Sequence, residues 1–253
     1  MAYLNYEKKT VNGGLVVFAR FEGATELNLI DQKISEECKK TFEEILALEG
    51  LRCVFLSGAS GKSFIGGADL KSLRSLTTGS ASGFIKSIHE LCHVIRTAKV
   101  PVIAVMSGLC LGAGLEIAVS CDFRIADDSI RCGMPEVRVG VPSVVEAALL
   151  PGIVGWGKAR ELMLRGNIIL AKEALAIGLV EHVVNGRERA VLIDLVASEI
   201  LQCGPEAIAS QKTLFLKWEN EAIDDAIEMG VDSFIAAYKT TEPKEMIKKF
   251  FDR

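Results

Sequence analysis

The chain has 253 residues, of which 49% are hydrophobic and 25% are charged, a balance that argues against a disordered protein and predicts a compact fold. The net charge is −4, and the lysines and arginines are scattered, which argues against a nucleic-acid partner. No secretory signal and no membrane-spanning apolar run is evident, so we expect a soluble, cytoplasmic protein without a membrane partner.

The seven cysteines form an odd set without a Cys-x-x-Cys pair, and several lie within apolar runs, such as Cys53 and Cys110. This usage is typical of buried thiols in a reducing compartment.

From residue 15 to about residue 184, strand-like and helix-like segments alternate. Runs of β-forming residues lie at 16–18, 51–56 and 100–106. Between the first two runs, apolar residues recur at helical spacing over residues 30–48. The alternation predicts an α/β fold.

After Asn185-Gly186 the pattern becomes helical and no strand signal remains. The predicted helices cover residues 187–202, 205–218, 222–238 and 243–251. We therefore predict an α/β core over residues 1–186 and a helical C-terminal region over residues 187–253.

The run Gly58-Ala-Ser-Gly-Lys62-Ser63 is similar to a phosphate-binding P-loop. The first glycine of that motif would fall at position 56, which is Leu56, and Gly66-Gly67 interrupt the helix that should follow. We expect no nucleotide-hydrolase site here.

The run His89-Glu90-Leu91-Cys92-His93 fits a zinc motif in which two histidines one helical turn apart bind the metal. The only other histidine is His182, far along the chain in a strand-like run. Apolar residues at helical spacing around the motif favour an ordinary core-packed helix, so we expect no metal site.

Two glycine-containing loops each lie between a predicted strand and a predicted helix. The first covers residues 64–71, where Asp69 is placed to cap a short helix, and the second covers residues 107–116 and opens a helix toward Ser120. Such loops point backbone N–H groups outward, and the helix dipole adds positive charge. Each loop alone fits an ordinary turn, but together they can supply one amide each to a single oxygen.

These loops resemble the two oxyanion-loop motifs of the enoyl-CoA hydratase/isomerase (crotonase) family. The first motif matches Lys62 through Lys71, and the second runs from Pro101 through Gly112-Ala113-Gly114-Leu-Glu116 to Asp122. The layout is similar over essentially the whole chain. The resemblance implies an α/β, crotonase-like spiral of ββα turns with a C-terminal helical trimerisation region, assembled as a homotrimer or homohexamer.

The resemblance also implies the residues of the site. The backbone amides of Ala68 and Ala113 would bind the thioester oxygen of an acyl-CoA substrate, although the family usually has glycine at the latter position. Glu116 would activate a water molecule, and Glu136 would hold it and deliver a proton to the α-carbon. The substrate-binding residues would be Gly66, Gly67, Ala68, Asp69, Leu70, Lys71 and Ala113. No cofactor is implied, because coenzyme A is part of the substrate.

The implied activity is hydration of a trans-2-enoyl-CoA to a 3-hydroxyacyl-CoA through a thioester enolate, which requires both an acid and a base. Two alternatives are a Δ3,Δ2-enoyl-CoA isomerase, or another enolate reaction of the family, and a catalytically silent acyl-CoA-binding scaffold. Met134 and the segment 140–146 depart from the usual hydratase pattern beside the two glutamates. Glu146 in that segment is interpreted as an exposed helix residue.

Overall fold

The structure is a computed structural model that describes residues 3–252 of the chain. The strands are β1 (Leu4–Val11), β2 (Gly14–Phe21), β3 (Leu51–Gly58), β4 (Ser63–Ile65), β5 (Val102–Met106), β6 (Leu109–Leu111), β7 (Phe123–Ala126), β8 (Arg131–Gly133), β9 (Ile168–Leu170) and β10 (His182–Val183).

Helices lie between the strands along the chain, and the last four helices follow β10. The helices are α1 (Gln32–Leu46), α2 (Leu70–Ser75), α3 (Thr78–Arg96), α4 (Ala113–Ser120), α5 (Leu150–Arg165), α6 (Ala171–Ala176), α7 (Gly186–Gln202), α8 (Pro205–Trp218), α9 (Ile223–Ala237) and α10 (Glu242–Phe251). Two 3-10 turns, Glu136–Val139 and Val145–Leu149, lie between β8 and α5. The helices predicted after residue 186 are confirmed, with ends shifted by at most one residue.

The strands form two sheets, and the chain alternates between them. A six-stranded sheet has the order β1-β2-β3-β5-β7-β10, and a four-stranded sheet has the order β4-β6-β8-β9. Each of β3, β5 and β7 in the large sheet is followed by a strand of the small sheet and then by helical residues. This repetition confirms the predicted spiral of ββα turns.

The large sheet is buried on both faces, which is why its central strands are continuously apolar. All five residues of β5 are buried. One face belongs to the main core, which includes Phe42 from α1 and Leu91 from α3. Cys53 and Phe55 point to the other face, where Val196 and Ala197 of α7 cover them.

Polar contacts mark the beginning of α7 and attach α8 to the core. Asn185 caps α7 by accepting hydrogen bonds from the backbone N–H groups of Arg187 and Glu188, each at 3.1 Å. The buried Lys212 of α8 binds both carboxylate oxygens of Asp122, at 2.6 and 2.5 Å. The division of the chain at residue 186 stays a prediction.

Six of the seven cysteines are buried as free thiols, and only Cys203 is exposed. Within residues 3–252, none of the helices combines the length and the apolar character that crossing a membrane requires.

Candidate active site

The second glycine-containing loop ends at the N-terminus of α4. Gly112, between β6 and α4, has φ 52° and ψ −122°, a conformation that favours glycine. It has no side chain with which to cap the helix, so the first-turn amides of α4 receive no side-chain acceptor from the N-cap. Ala113, the first residue of α4, carries one of these amides.

The first loop pairs with residues before α1. The carbonyl of Gly67 accepts a hydrogen bond from the N–H of Ile30 at 3.0 Å, and the N–H of Asp69 donates to the carbonyl of Ile30 at 2.8 Å. The C=O of Gly67 and the N–H of Ala68 belong to one trans peptide and point in opposite directions, so the N–H of Ala68 is directed away from Ile30.

The two loops lie directly against each other. A β-carbon added to Gly67 would come within 3.1 Å of the carbonyl oxygen of Leu111, and one added to Gly114 would come within 2.2 Å of the carbonyl oxygen of Ile65. Only glycine permits such an approach at position 114. The structure therefore places the loops of Ala68 and Ala113 side by side. That their amides share one oxygen stays a prediction.

Glu116 lies in the first turn of α4 and is only 4% exposed. Burial raises the pKa of its carboxyl from 4.5 to about 8, and the charges of Glu136 and Glu146 add to the increase. The nearby backbone amides of Ala147 and Val144 act in the opposite direction. A carboxyl whose pKa lies near neutral pH can both take up and release a proton at that pH.

Glu136 begins the first 3-10 turn and reaches over the N-terminus of α4. Its Oε2 accepts a hydrogen bond from the hydroxyl of Ser143 at 2.9 Å. Its Oε1 lies so close to Gly112 that an added β-carbon there would be 2.6 Å away. Burial raises the pKa of Glu136, while its own backbone N–H and the Ser143 hydroxyl lower it. The structure thus brings Glu116 and Glu136 to the same helix terminus.

Asp69, Leu70 and Lys71 mark the outer edge of the first loop. Asp69 caps α2 by accepting a hydrogen bond from the N–H of Lys71 at 3.1 Å, as its position predicted. Leu70 and Lys71 are both exposed. That they contact a substrate stays a prediction.

The interpretation of Glu146 as an exposed residue was wrong. Glu146 is only 5% exposed, and its Oε1 lies 2.7 Å from Nδ1 of His89. The 3-10 turn that carries it packs against α4, which turns the side chain inward. Met134, the other departure from the usual pattern, is fully buried.

Residues of the P-loop-like run and of the zinc-like run take part in other interactions. Lys62 pairs with Glu26 at 2.6 Å, and a strand, β4, follows it. The rings of His89 and His93 lie 5.9 Å apart, but His89 bonds to Glu146. Within the described part of the chain, no group of three or more His, Cys, Asp and Glu side chains could hold a metal ion.

A cavity of about 1120 Å³ lies at the opposite end of α4 from the two loops. Its wall includes Ser120 and Asp122 at the end of α4, residues of α8, and the pair His89 and Glu146. Neither Glu116 nor Glu136 lines it. The two carboxyls predicted to be catalytic therefore lie outside the wall of the cavity, whereas Glu146 is part of that wall.

Comparison with known proteins identifies the class. The model of the family described as enoyl-CoA hydratase/isomerase matches residues 12–253, and the chain belongs to this family. The fold is that of its solved members. An enoyl-CoA hydratase from Bacillus anthracis has a TM-score of 0.92 and 26% identity, with 99% of this chain and 96% of that chain covered.

Curated relatives agree with this assignment. A crotonyl-CoA hydratase from Syntrophomonas wolfei is 30% identical over 90% of this chain and 88% of its own length. A short-chain-enoyl-CoA hydratase from Clostridium acetobutylicum is 30% identical over 95% of this chain and 92% of its own length. The chain is thus an enzyme of the enoyl-CoA hydratase/isomerase type.

Sequence reasoning did not identify two contacts at the site. It noted the turn containing Ser143 as unusual, but it did not show that the hydroxyl would reach Glu136. It gave no local signal for the pairing of His89 with Glu146, because 57 residues separate the two in sequence.

The raised pKa of Glu116 predicts how stability depends on pH. Between about pH 4.5 and 8, the folded protein keeps a proton on Glu116 that the unfolded chain releases, so its free energy of unfolding should fall as pH rises through this range. Glu116→Gln removes this linkage and should show a smaller fall. Urea denaturation at about pH 4.5 and pH 8 measures the change in the free energy of unfolding for wild type and for Glu116→Gln. Glu49→Gln, at an exposed position, controls for the change in net charge. Equal slopes for wild type and Glu116→Gln would contradict the raised pKa.

Proposed function

We propose that the protein is an enoyl-CoA hydratase, which adds water across the double bond of a trans-2-enoyl-CoA to give a 3-hydroxyacyl-CoA. The observation that carries this proposal is the placement of Glu116 and Glu136, both with raised pKa values, at the N-terminus of α4. The addition requires one group to take a proton from water and another to protonate the α-carbon, and two such carboxyls provide both.

In the proposed reaction, the ionised form of Glu116, which increases as pH approaches its pKa of about 8, takes a proton from water as the water oxygen attacks the β-carbon. Glu136, protonated and oriented by Ser143, delivers a proton to the α-carbon. The backbone amides of Ala68 and Ala113 bind the thioester oxygen while negative charge collects on it. Fixed amide donors and the positive end of the α4 dipole stabilise that charge.

The same proposal gives a position for the substrate. The loop of Gly66, Gly67, Ala68 and Asp69 lies along the acyl-CoA, with the exposed Leu70 and Lys71 beside its CoA portion. Because the reaction moves a hydroxyl group and a proton and transfers no electrons, we propose no cofactor apart from the CoA of the substrate. The buried free thiols support a reducing, cytoplasmic location.

We also propose a homotrimer or homohexamer that uses the helical C-terminal region. One face of α9 exposes a continuous apolar stripe that includes Ile227, Val231 and Phe234, the last of them 66% exposed. Stripes of this size on a single copy indicate a protein interface. Light scattering should give the mass of three or six copies, and Phe234→Asp should reduce it. A wild-type mass of one copy would contradict the assembly.

The activity predicts loss of the ultraviolet absorbance of the conjugated thioester when the protein is mixed with crotonyl-CoA. Glu116→Gln and Glu136→Gln should each lower kcat by roughly 100-fold or more, because each keeps the shape of the side chain but removes its proton chemistry. The exposed Glu49→Gln should retain wild-type activity.

The alternatives give different results in the same assay. Isomerisation of a 3-enoyl-CoA by a protein that leaves crotonyl-CoA unchanged would replace the hydratase proposal with the isomerase. Binding of CoA esters without any turnover would favour the scaffold.

The oxyanion proposal predicts a specific effect at Ala113. Proline is tolerated at the first position of a helix, so Ala113→Pro removes the amide proton while α4 can still form. Loss of one oxyanion donor should lower kcat by about 100-fold to 1000-fold. Ala113→Gly keeps the amide and should stay close to wild type, whereas equal activity of both variants would show that this amide does not bind the oxygen.

A further inference from the structure

Glu146 is a buried acid for which the reaction above has no use. Its Oε2 is one of the few buried polar side-chain atoms among the described residues without a hydrogen-bond partner. Burying a carboxylate with an unsatisfied oxygen is unfavourable, so its position calls for a physical explanation. Within the described part of the chain, the paired oxygen, Oε1, bonds only to His89.

Glu146 lies between two environments. On one side is α4, which carries Glu116 and against which the 3-10 turn of Glu146 packs. The charge of Glu146 contributes to the raised pKa of Glu116. On the other side is His89, whose side chain is half exposed and lines the 1120 Å³ cavity. Glu146 therefore lies between the helix that carries Glu116 and a histidine that faces the cavity.

The proposed hydration leaves Glu116 and Glu136 in protonation states from which the next turnover cannot start. Glu116 ends each turnover protonated, because it has taken a proton from water, and Glu136 ends it ionised, because it has given its proton to the α-carbon. Both must be reset before the next substrate reacts. Glu136 is half-buried and reached by the Ser143 hydroxyl, whereas Glu116 is almost completely enclosed.

We propose that Glu146 and His89 form a proton relay that returns Glu116 to its ionised state after each turnover, an inference that rests on the proposed hydratase reaction. The O–H bond of Glu116 breaks as Oε2 of Glu146 takes the proton, directly or through one water molecule. Glu146, which now carries one extra proton, passes a proton from Oε1 to Nδ1 of His89. The Nε2–H bond of His89 breaks as that proton enters solvent in the cavity, and proton exchange with solvent then restores the first ring tautomer. Glu136 takes up a proton from solvent, so that no net proton is gained or lost.

Other titratable groups around Glu146 and His89 do not compete for the proton. Those lining the cavity beside the pair are Arg96, Cys121, Asp122, Arg124, Lys212 and Glu219. Cys92 and Glu116 lie near Glu146, and the His93 ring is 5.9 Å from that of His89. Arg124 pairs with Glu181. Arg96 pairs with Glu219, and Lys212 pairs with Asp122. Burial raises the pKa of the Cys92 thiol well above its ordinary value, so it stays protonated and cannot accept another proton.

The first test removes the outer member of the relay. His89→Ala should lower kcat for crotonyl-CoA by about tenfold or more in dilute buffer, while kcat/KM stays near wild type, because the reset follows the chemical step. Added imidazole, which fits the space left by a half-exposed ring, should restore kcat in a saturable manner. His93→Ala, one turn along the same helix and also exposed, should keep wild-type kcat with or without imidazole.

The second test removes the inner member. Glu146→Gln keeps the size of the side chain but cannot carry a proton, so kcat should fall to a similar extent and imidazole should not restore it. Rescue of Glu146→Gln by imidazole would overturn the proposed order of transfer. Unchanged kcat in either variant would overturn the relay and indicate that Glu116 and Glu136 exchange protons directly through one water molecule.

Different results would contradict the hydratase proposal and the relay proposal. An inactive wild type would count against the hydratase reaction itself. An active wild type with a fall in kcat/KM as large as that in kcat, and without imidazole rescue in His89→Ala, would assign His89 and Glu146 a structural role and overturn the relay alone.

Discussion

The first turn of α4 packs closely against the end of β4, and the arrangement of the site depends on this contact. A side chain at Gly114 would collide with the carbonyl oxygen of Ile65, so the helix can take its position only with glycine there. That position brings the loop of Ala113 against the loop of Ala68 and carries Glu116 into the interior. The positive end of a helix dipole, two loops and one carboxyl are thus placed by a single packing contact.

The second constraint is electrostatic. Glu116, Glu136 and Glu146 are gathered where there is little water to stabilise their charges, so burial and mutual repulsion hold the pKa of Glu116 at about 8. Such crowding lowers the free energy of unfolding progressively as pH rises from about 4.5 to 8. It also gives the site a carboxyl that exchanges protons near neutral pH, as the proposed hydration requires.

The segment between Glu136 and α5 combines the two constraints. Ser143 fixes one oxygen of Glu136, and Glu146 turns inward to meet His89. Between them, Val145 has φ 42°, a conformation that is unfavourable by about 1–3 kcal/mol for a residue other than glycine. This segment therefore brings a hydroxyl to Glu136 and a buried carboxyl to His89.

The sequence by itself determined the α/β alternation, the helical C-terminal region, the family and the two loops with Glu116 and Glu136. These features follow from periodicity and from short contiguous motifs, which local residue order records. Only the tertiary structure decided that Ser143 reaches Glu136 and that Glu146 is buried beside His89. Their positions depend on how a 3-10 turn packs against α3 and α4, and the partners of Glu146 are far away in the chain. No local pattern distinguishes a carboxylate that points to solvent from one that packing turns inward.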